Sequence, residues 1–176
     1  MTLSFETTGV FNNITYLDSS MKFVTVLSSN IEMSDIDITS ISLNQHVIEC
    51  IECERVIWKN IAIKDITSTS QYIIFFSEST INQINNLTMI DTDTIAFHIV
   101  KSNVVSIDKL NILNATSGIY LEQSQMSLMQ NSLIMECGST SIINGGAMLI
   151  ENSNSTIINV TFDQNMAQVG GAINIK

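Results

Sequence analysis

The 176 residues include no proline, 29 isoleucines against 11 leucines, 38 serines and threonines together, 18 asparagines and a net charge of −10. With 45% hydrophobic and only 14% charged residues the chain is too apolar to be disordered. Its basic residues (Lys22, Arg55, Lys59, Lys64, Lys101, Lys109 and Lys176) are too few and scattered to form the basic stripe of a nucleic-acid binder. No apolar run approaches the ~18 residues of a spanning helix, so no membrane span is expected.

β-branched residues suit pleated surfaces, and Ser, Thr and Asn favour turns over helix interiors, so strands are predicted throughout. Met1–Phe5 has neither the basic start nor the apolar stretch of a signal peptide. The first strands are predicted at Phe11, at Ile14-Thr15-Tyr16 beyond Asn13, and at Val24-Thr25-Val26, closed by Ser28-Ser29. The same three pieces then return along the chain. They are Met33, Ile36–Ile38 after Asp35, and Glu49-Cys50-Ile51; then Trp58, Ile61–Ile63 after Asn60, and Ile74-Phe75-Phe76. Next come Ile84, Leu87–Met89 after Asn86, and Phe97-His98-Ile99; then Ile107, Leu110–Ile112 after Lys109, and Ile119-Tyr120-Leu121. The last two sets are Met129, Ser132–Ile134 after Asn131, and Met148-Leu149-Ile150; and Ile157, Val160–Phe162 after Asn159, and Ile173-Asn174-Ile175.

The polar anchors Asn13, Asp35, Asn60, Asn86, Lys109, Asn131 and Asn159 are spaced 22, 25, 26, 23, 22 and 28 residues apart. Three short alternating strands in each ~24-residue period describe a coil of a parallel β-helix, in which like residues stack on like. The predicted fold is therefore all-β: a right-handed parallel β-helix solenoid of about seven coils, read as a single segment spanning 1–176. Proline is missing because nearly every strand is central and needs its N–H. A leucine-rich repeat has a similar period, but its Asn/Cys column is met only by Cys137 and Asn165 of seven positions. Variable length belongs at the corners, with a loop expected at Ser139–Gly145 in the longest interval.

Near the C-terminus, Asn144-Gly145-Gly146-Ala147-Met148 is echoed by Val169-Gly170-Gly171-Ala172-Ile173, with Phe162-Asp163-Gln164-Asn165 between them. Paired Gly-Gly-Ala-Ile and Phe-x-x-Asn motifs resemble the repeats of polymorphic outer-membrane proteins over about 132–176. The resemblance implies a β-helix of the pectate-lyase-like class and a role in adhesion or surface display. The earlier coils keep the period but lack Gly-Gly-Ala. A β-helix caps its open ends, so the chain is expected to be part of a longer protein or to stack on neighbours.

An acidic column falls five residues after each anchor: Asp18, Ser40, Asp65, Asp91, Asn114, Glu136 and Gln164, with Asp93 beside Asp91. Carboxylates on neighbouring coils can hold calcium or act on glycosidic bonds. Charges ~4.8 Å apart repel by only about 0.9 kcal/mol in water, so a solvated corner also tolerates them. Asp65, Asp91 and Asp93 are the only metal candidates; no metal site or other cofactor is assigned, and no catalytic residue. The signatures of polygalacturonases are missing, and the only histidines are His46 and His98. Cys50, Cys53 and Cys137 form no disulfide framework, and Cys-Ile-Glu-Cys lacks the second pair of a zinc site. The outward column Thr25, Cys50, Phe75, His98, Tyr120, Leu149, Asn174 contains an apolar strip, Phe75, His98, Tyr120 and Leu149, that suits a partner. Sequons at Asn13, Asn86, Asn114, Asn154 and Asn159 are candidate N-glycosylation sites. Three of them occupy the anchor column, which could equally be an Asn ladder.

These features predict a non-catalytic structural or adhesive module of an extracellular or cell-surface protein or filament. Its partners would be protein neighbours packed laterally or end to end, and glycans. Two alternatives stay open: a carbohydrate-active or carbohydrate-binding β-helix, and an intracellular scaffold packed through the apolar strip.

Overall fold

A computed structural model describes residues 9–17, 24–43, 46–68, 71–139 and 145–176. Asp18, Asn144 and most of the predicted 139–145 loop lie outside them. The described residues form 13 strands and no helix. In chain order they are β1 (Gly9–Leu17), β2 (Val24–Leu27), β3 (Asn30–Leu43), β4 (Ile48–Ile51), β5 (Arg55–Ser68), β6 (Tyr72–Ser77) and β7 (Thr80–Val100). They continue with β8 (Asn103–Val104), β9 (Ile107–Glu122), β10 (Gln125–Met135), β11 (Met148–Glu151), β12 (Asn154–Asp163) and β13 (Ile173–Ile175).

Every pairing is parallel and joins one turn to the next, as in β1–β3–β5–β7–β9–β10–β12 and β2–β4–β6–β7–β9–β11–β13. The fold is a parallel β-solenoid of about six turns, close to the seven coils expected.

The inward columns run in register. One is Phe11, Met33, Trp58, Ile84, Ile107, Met129 and Ile157, the column predicted two residues before each anchor. All of them except the last are buried. Such large apolar side chains each stabilise the fold by about 1.5–3 kcal/mol on burial, and stacking lets each serve the turn above and the turn below. Ser132 interrupts an otherwise apolar column. Its Oγ accepts from the Leu110 N–H at 3.0 Å and donates to the Gln130 carbonyl at 2.7 Å, so the buried hydroxyl is satisfied.

The second turn corrects the predicted frame by one residue. Ile48 and Cys50, not Glu49 and Ile51, face the core at 0% exposure, in register with Val24 and Val26 before them and Ile74 and Phe76 after. Glu49 is the outward residue beside Thr25 and Phe75, and Cys50 leaves the outward column. Both frames read apolar-x-apolar at one end, but only this one keeps a carboxylate out of the core.

The three corners of each turn share one backbone device. All 19 described non-glycine residues with positive φ are corner residues. The anchors Asn13, Asp35, Asn60, Asn86, Lys109, Asn131 and Asn159 form the first column. Ser40, Asp65, Asp91, Asn114, Glu136 and Gln164 form the second, and Ser28, Glu52, Glu78, Lys101, Gln123 and Asn152 the third. Left-handed backbone costs most side chains about 1–2 kcal/mol, and Asn and Asp least, which explains the anchor column. Turn length varies mainly between the second and third corners, and by one residue between the third corner and the next first corner.

The Gly-Gly-Ala motifs occupy that variable stretch and stack on each other. The Gly145 N–H donates to the Val169 carbonyl at 3.0 Å and that of Gly146 to the Gly170 carbonyl at 3.3 Å. Gly145 has φ of 61°, and a Cβ on Gly146 would lie 2.4 Å from the Gly171 carbonyl oxygen. The first glycine supplies the left-handed turn and the second allows two backbones to touch.

Candidate functional site

Three surface features gather the candidate residues: polar ladders at the corners, a groove along the second corner, and the outward face of the sheet containing β4, β6 and β11.

The ladders arise because corner residues of successive turns are ~4.8 Å apart, within reach of short polar side chains. At the first corner, Asn60 Nδ2 donates to Asp35 Oδ1 and Asn86 Nδ2 to Asn60 Oδ1, each at 2.9 Å. Lys109 breaks the row. Asn131 therefore reaches Asp108 Oδ1 at 2.8 Å, and Asn159 resumes the ladder on Asn131 Oδ1 at 2.7 Å. All five sequon asparagines are exposed, so the anchor column is a ladder and a solvent-facing corner at once.

A second ladder, buried, runs beside the third corner. The N–H groups of Cys53, Ser79, Ser102 and Ser124 donate to the hydroxyls of Ser79, Ser102, Ser124 and Ser153 in the following turn, at 2.9–3.0 Å. Each accepting serine donates in turn to the carbonyl two residues before it. Cys53 is the rung where sulfur replaces oxygen. At the second corner Asn165, the Asn of Phe-x-x-Asn, does equivalent work. Its Oδ1 accepts from the Cys137 N–H at 2.9 Å and its Nδ2 donates to the Ile134 carbonyl at 2.8 Å.

The three cysteines are buried and unpaired with one another by disulfide. A hydrogen bond with Cys53, together with burial, holds the Cys50 thiol above its ordinary range, and burial pushes Cys137 up to about 11. Both stay protonated at neutral pH, which suits filler and not nucleophiles.

The groove has a volume of about 460 Å³ and is lined by Asp65, Thr67, Asp91, Asp93, Asn114 and Thr116, among others. Asp65 and Asp91 are left-handed corner residues, and all three carboxylates are exposed. Asp91 Oδ1 accepts from Asn114 Nδ2 at 2.7 Å, and Asp93 Oδ1 accepts from the Ser68 N–H at 2.8 Å. Among the described residues no three His, Cys, Asp or Glu side chains form a group that could hold a metal. The acidic column is thus explained first by backbone conformation and only then by chemistry.

On the outward sheet face Phe75, His98, Tyr120 and Leu149 stand in register across β6, β7, β9 and β11. The rings stack along the rod: His98 on Tyr120 at 4.6 Å and 14°, with Phe75 at 5.4 Å on the other side of His98. Sequence reasoning missed Tyr72, 4.2 Å from His98, and His46, 5.2 Å from Phe75. It also missed two carboxylates. His98 Nε2 lies 3.1 Å from Glu122 Oε2, and the Tyr120 hydroxyl donates to Glu151 Oε2 at 3.0 Å. A carboxylate only accepts, so His98 carries its proton on Nε2. Burial depresses the His98 pKa against the pull of Glu122. Burial and Glu122 raise Tyr72; burial and the bond to Glu151 raise Tyr120. All three aromatic groups are neutral at pH 7. Their faces are largely occupied by neighbouring rings, so the strip is a laminated ladder edged with carboxylates.

The fold, the in-register columns and the ladders define a parallel β-solenoid. No family model, no curated protein and no solved structure matches the chain. No helix among the described residues is long and apolar enough to cross a membrane.

Proposed function

We propose that the chain is a non-catalytic, structural or adhesive β-helix module at a cell surface, with repeats of the polymorphic outer-membrane type. The observation that supports this reading best is how the corner side chains are used. Asp91, Asp93, Asn86, Asn114 and Asn159 are engaged in hydrogen bonds along the rod, where an enzyme would aim such groups at a substrate. Exposure of Asn13, Asn86, Asn114, Asn154 and Asn159 is compatible with glycans on the same surface. The test is surface labelling of intact source cells with an antibody to the chain, paired with adhesion of chain-coated beads. Labelling with specific adhesion supports the proposal; labelling confined to permeabilised cells sinks it.

A second reading is carbohydrate binding along the groove, favoured by the row of carboxylates and hydroxyls from Asp65 to Thr116. Retention on a glycan array that Asp65→Asn and Asp91→Asn both abolish would favour it over the first.

A further inference from the structure

The third corner follows one plan in each described turn. The last core-facing residue before it is Val26, Cys50, Phe76, Ile99, Leu121 or Ile150, in register from turn to turn. Three residues later stands Ser29, Cys53, Ser79, Ser102, Ser124 or Ser153, the position of the buried ladder. A left-handed residue turns the chain between the two, Glu52 with φ of 56° in the second turn. Both positions therefore face the inside of one bend. Among the described turns only the second carries sulfur in both columns, and it does so where the ladder gives up its serine.

The two cysteines are 0% and 1% exposed, and their thiols are hydrogen-bonded to each other. That bond keeps the proton on Cys50. Hydrogen bonds from Cys50 and then Ser79 hold the Cys53 thiol below its ordinary range against the effect of burial. The pair is thus divided into a nucleophile and a thiol placed to resolve it. The Cys53 S–H otherwise donates at 3.8 Å to the Val26 carbonyl and at 4.0 Å to the Ile51 carbonyl, long contacts whose loss costs little. Cys137 lies at a second corner four turns further on. At ~4.8 Å per turn that is about 19 Å, far beyond the ~7 Å of Cα separation that a disulfide spans.

We propose that Cys50 and Cys53 are a modification site, closed to an intrachain disulfide across the third corner by a low-molecular-weight disulfide, RSSR. The Cys53 thiolate, its proton lost to water, attacks one sulfur of RSSR and expels RS⁻, leaving a mixed disulfide on Cys53. Cys50 gives its proton to that RS⁻ and attacks the Cys53 sulfur, expelling the second RS⁻, which takes a proton from water. Two thiols are oxidised by two electrons and RSSR is reduced to two RSH. The buried sulfurs meet the oxidant before the turn closes or when it opens. In an oxidising compartment the disulfide is the standing form, and in a reducing one the thiols are. This inference rests on the corner alone, so its failure leaves the surface role untouched.

The test refolds the reduced 176-residue chain in glutathione buffers of graded oxidised-to-reduced ratio, with a parallel series kept in urea. Far-UV circular dichroism confirms folding. Free thiols are then alkylated in denaturant and the chain is cut with trypsin, which leaves Cys50 and Cys53 in the peptide 23–55 and Cys137 in 110–176. The expected product is a 23–55 peptide two hydrogens lighter and unalkylated, with Cys137 fully alkylated. Because the fold holds the two sulfurs together, closure should need a ratio about tenfold lower in the folded chain than in urea. Cys50→Ala should stop after the first step with one glutathione on Cys53. Cys53→Ser, which restores the ladder's serine, should leave Cys50 a free thiol. The proposal is overturned if the folded wild-type chain keeps both thiols alkylatable at the most oxidising ratio, or closes no more readily than in urea. Glutathione on Cys50 in Cys53→Ser, or a disulfide to Cys137, overturns it equally.

Discussion

Ser124 shows how much one small side chain can carry in a solenoid. Its hydroxyl accepts the Ser102 N–H and donates to the Glu122 carbonyl, and its own N–H is taken by Ser153. Ser124→Ala leaves the buried Ser102 N–H without a partner, and such an orphan costs about 1–3 kcal/mol. Urea unfolding should therefore show a lowered midpoint with an unchanged slope. His98 is the second informative residue. Glu122 and His46 face it as charged or titratable groups, Tyr120 stacks on it and Tyr72 packs at a tilt against it, and its Nδ1 is buried with no partner. Its pKa in the fold lies below 6.5, so on acidification the unfolded chain takes up the proton first. The stability due to neutral His98 is complete above pH 6.5 and is lost progressively as the pH falls from there towards the folded pKa. Melting temperature measured against pH should drop over this window, and His98→Phe should flatten that part of the profile.

At the scale of the element, the inward columns and the anchor corner were legible because they recur. Apolar side chains return every turn, and Asn or Asp returns wherever the backbone must turn left-handed. The third corner was only half legible. Its left-handed residues Glu52, Glu78, Lys101 and Gln123 are not turn formers, and the visible signal came from the serines that follow them in the ladder. The frame of β4 was misread because Cys50 and Ile51 are both apolar, and only the stacking of Ile48 between Val24 and Ile74 decides between them. Tyr72, Glu122 and Glu151 escaped notice because they lie outside the repeating columns and meet His98 and Tyr120 only across neighbouring turns. The corrected frame makes a sharp prediction. Ile48→Ala opens a cavity in the core and should cost about 2–5 kcal/mol. Glu49→Ala, one residue away on the outer face, should stay within about 0.5 kcal/mol by the same denaturation measurement. Equal effects at the two sites would restore the original frame.

For the whole molecule, the account describes a rod whose turns are equivalent, whose corner chemistry is spent on its own ladders, and whose outer face is laminated with rings. The structural or adhesive role proposed above would use the extended surfaces of such a rod. Its shape follows from the stacking of turns, and the most direct test is the distance between them. Asp37, Ala62, Thr88, Asn111, Leu133 and Thr161 occupy one outward column on successive turns. Spin labels can be placed at 37 and 133, or at 37 and 161, and read by pulsed electron resonance. At ~4.8 Å per turn the backbone separations are about 19 Å and about 24 Å, so the second pair should be longer by one turn's rise. Distances that rise in this step support the solenoid; equal distances, or a broad distribution for either pair, would contradict it.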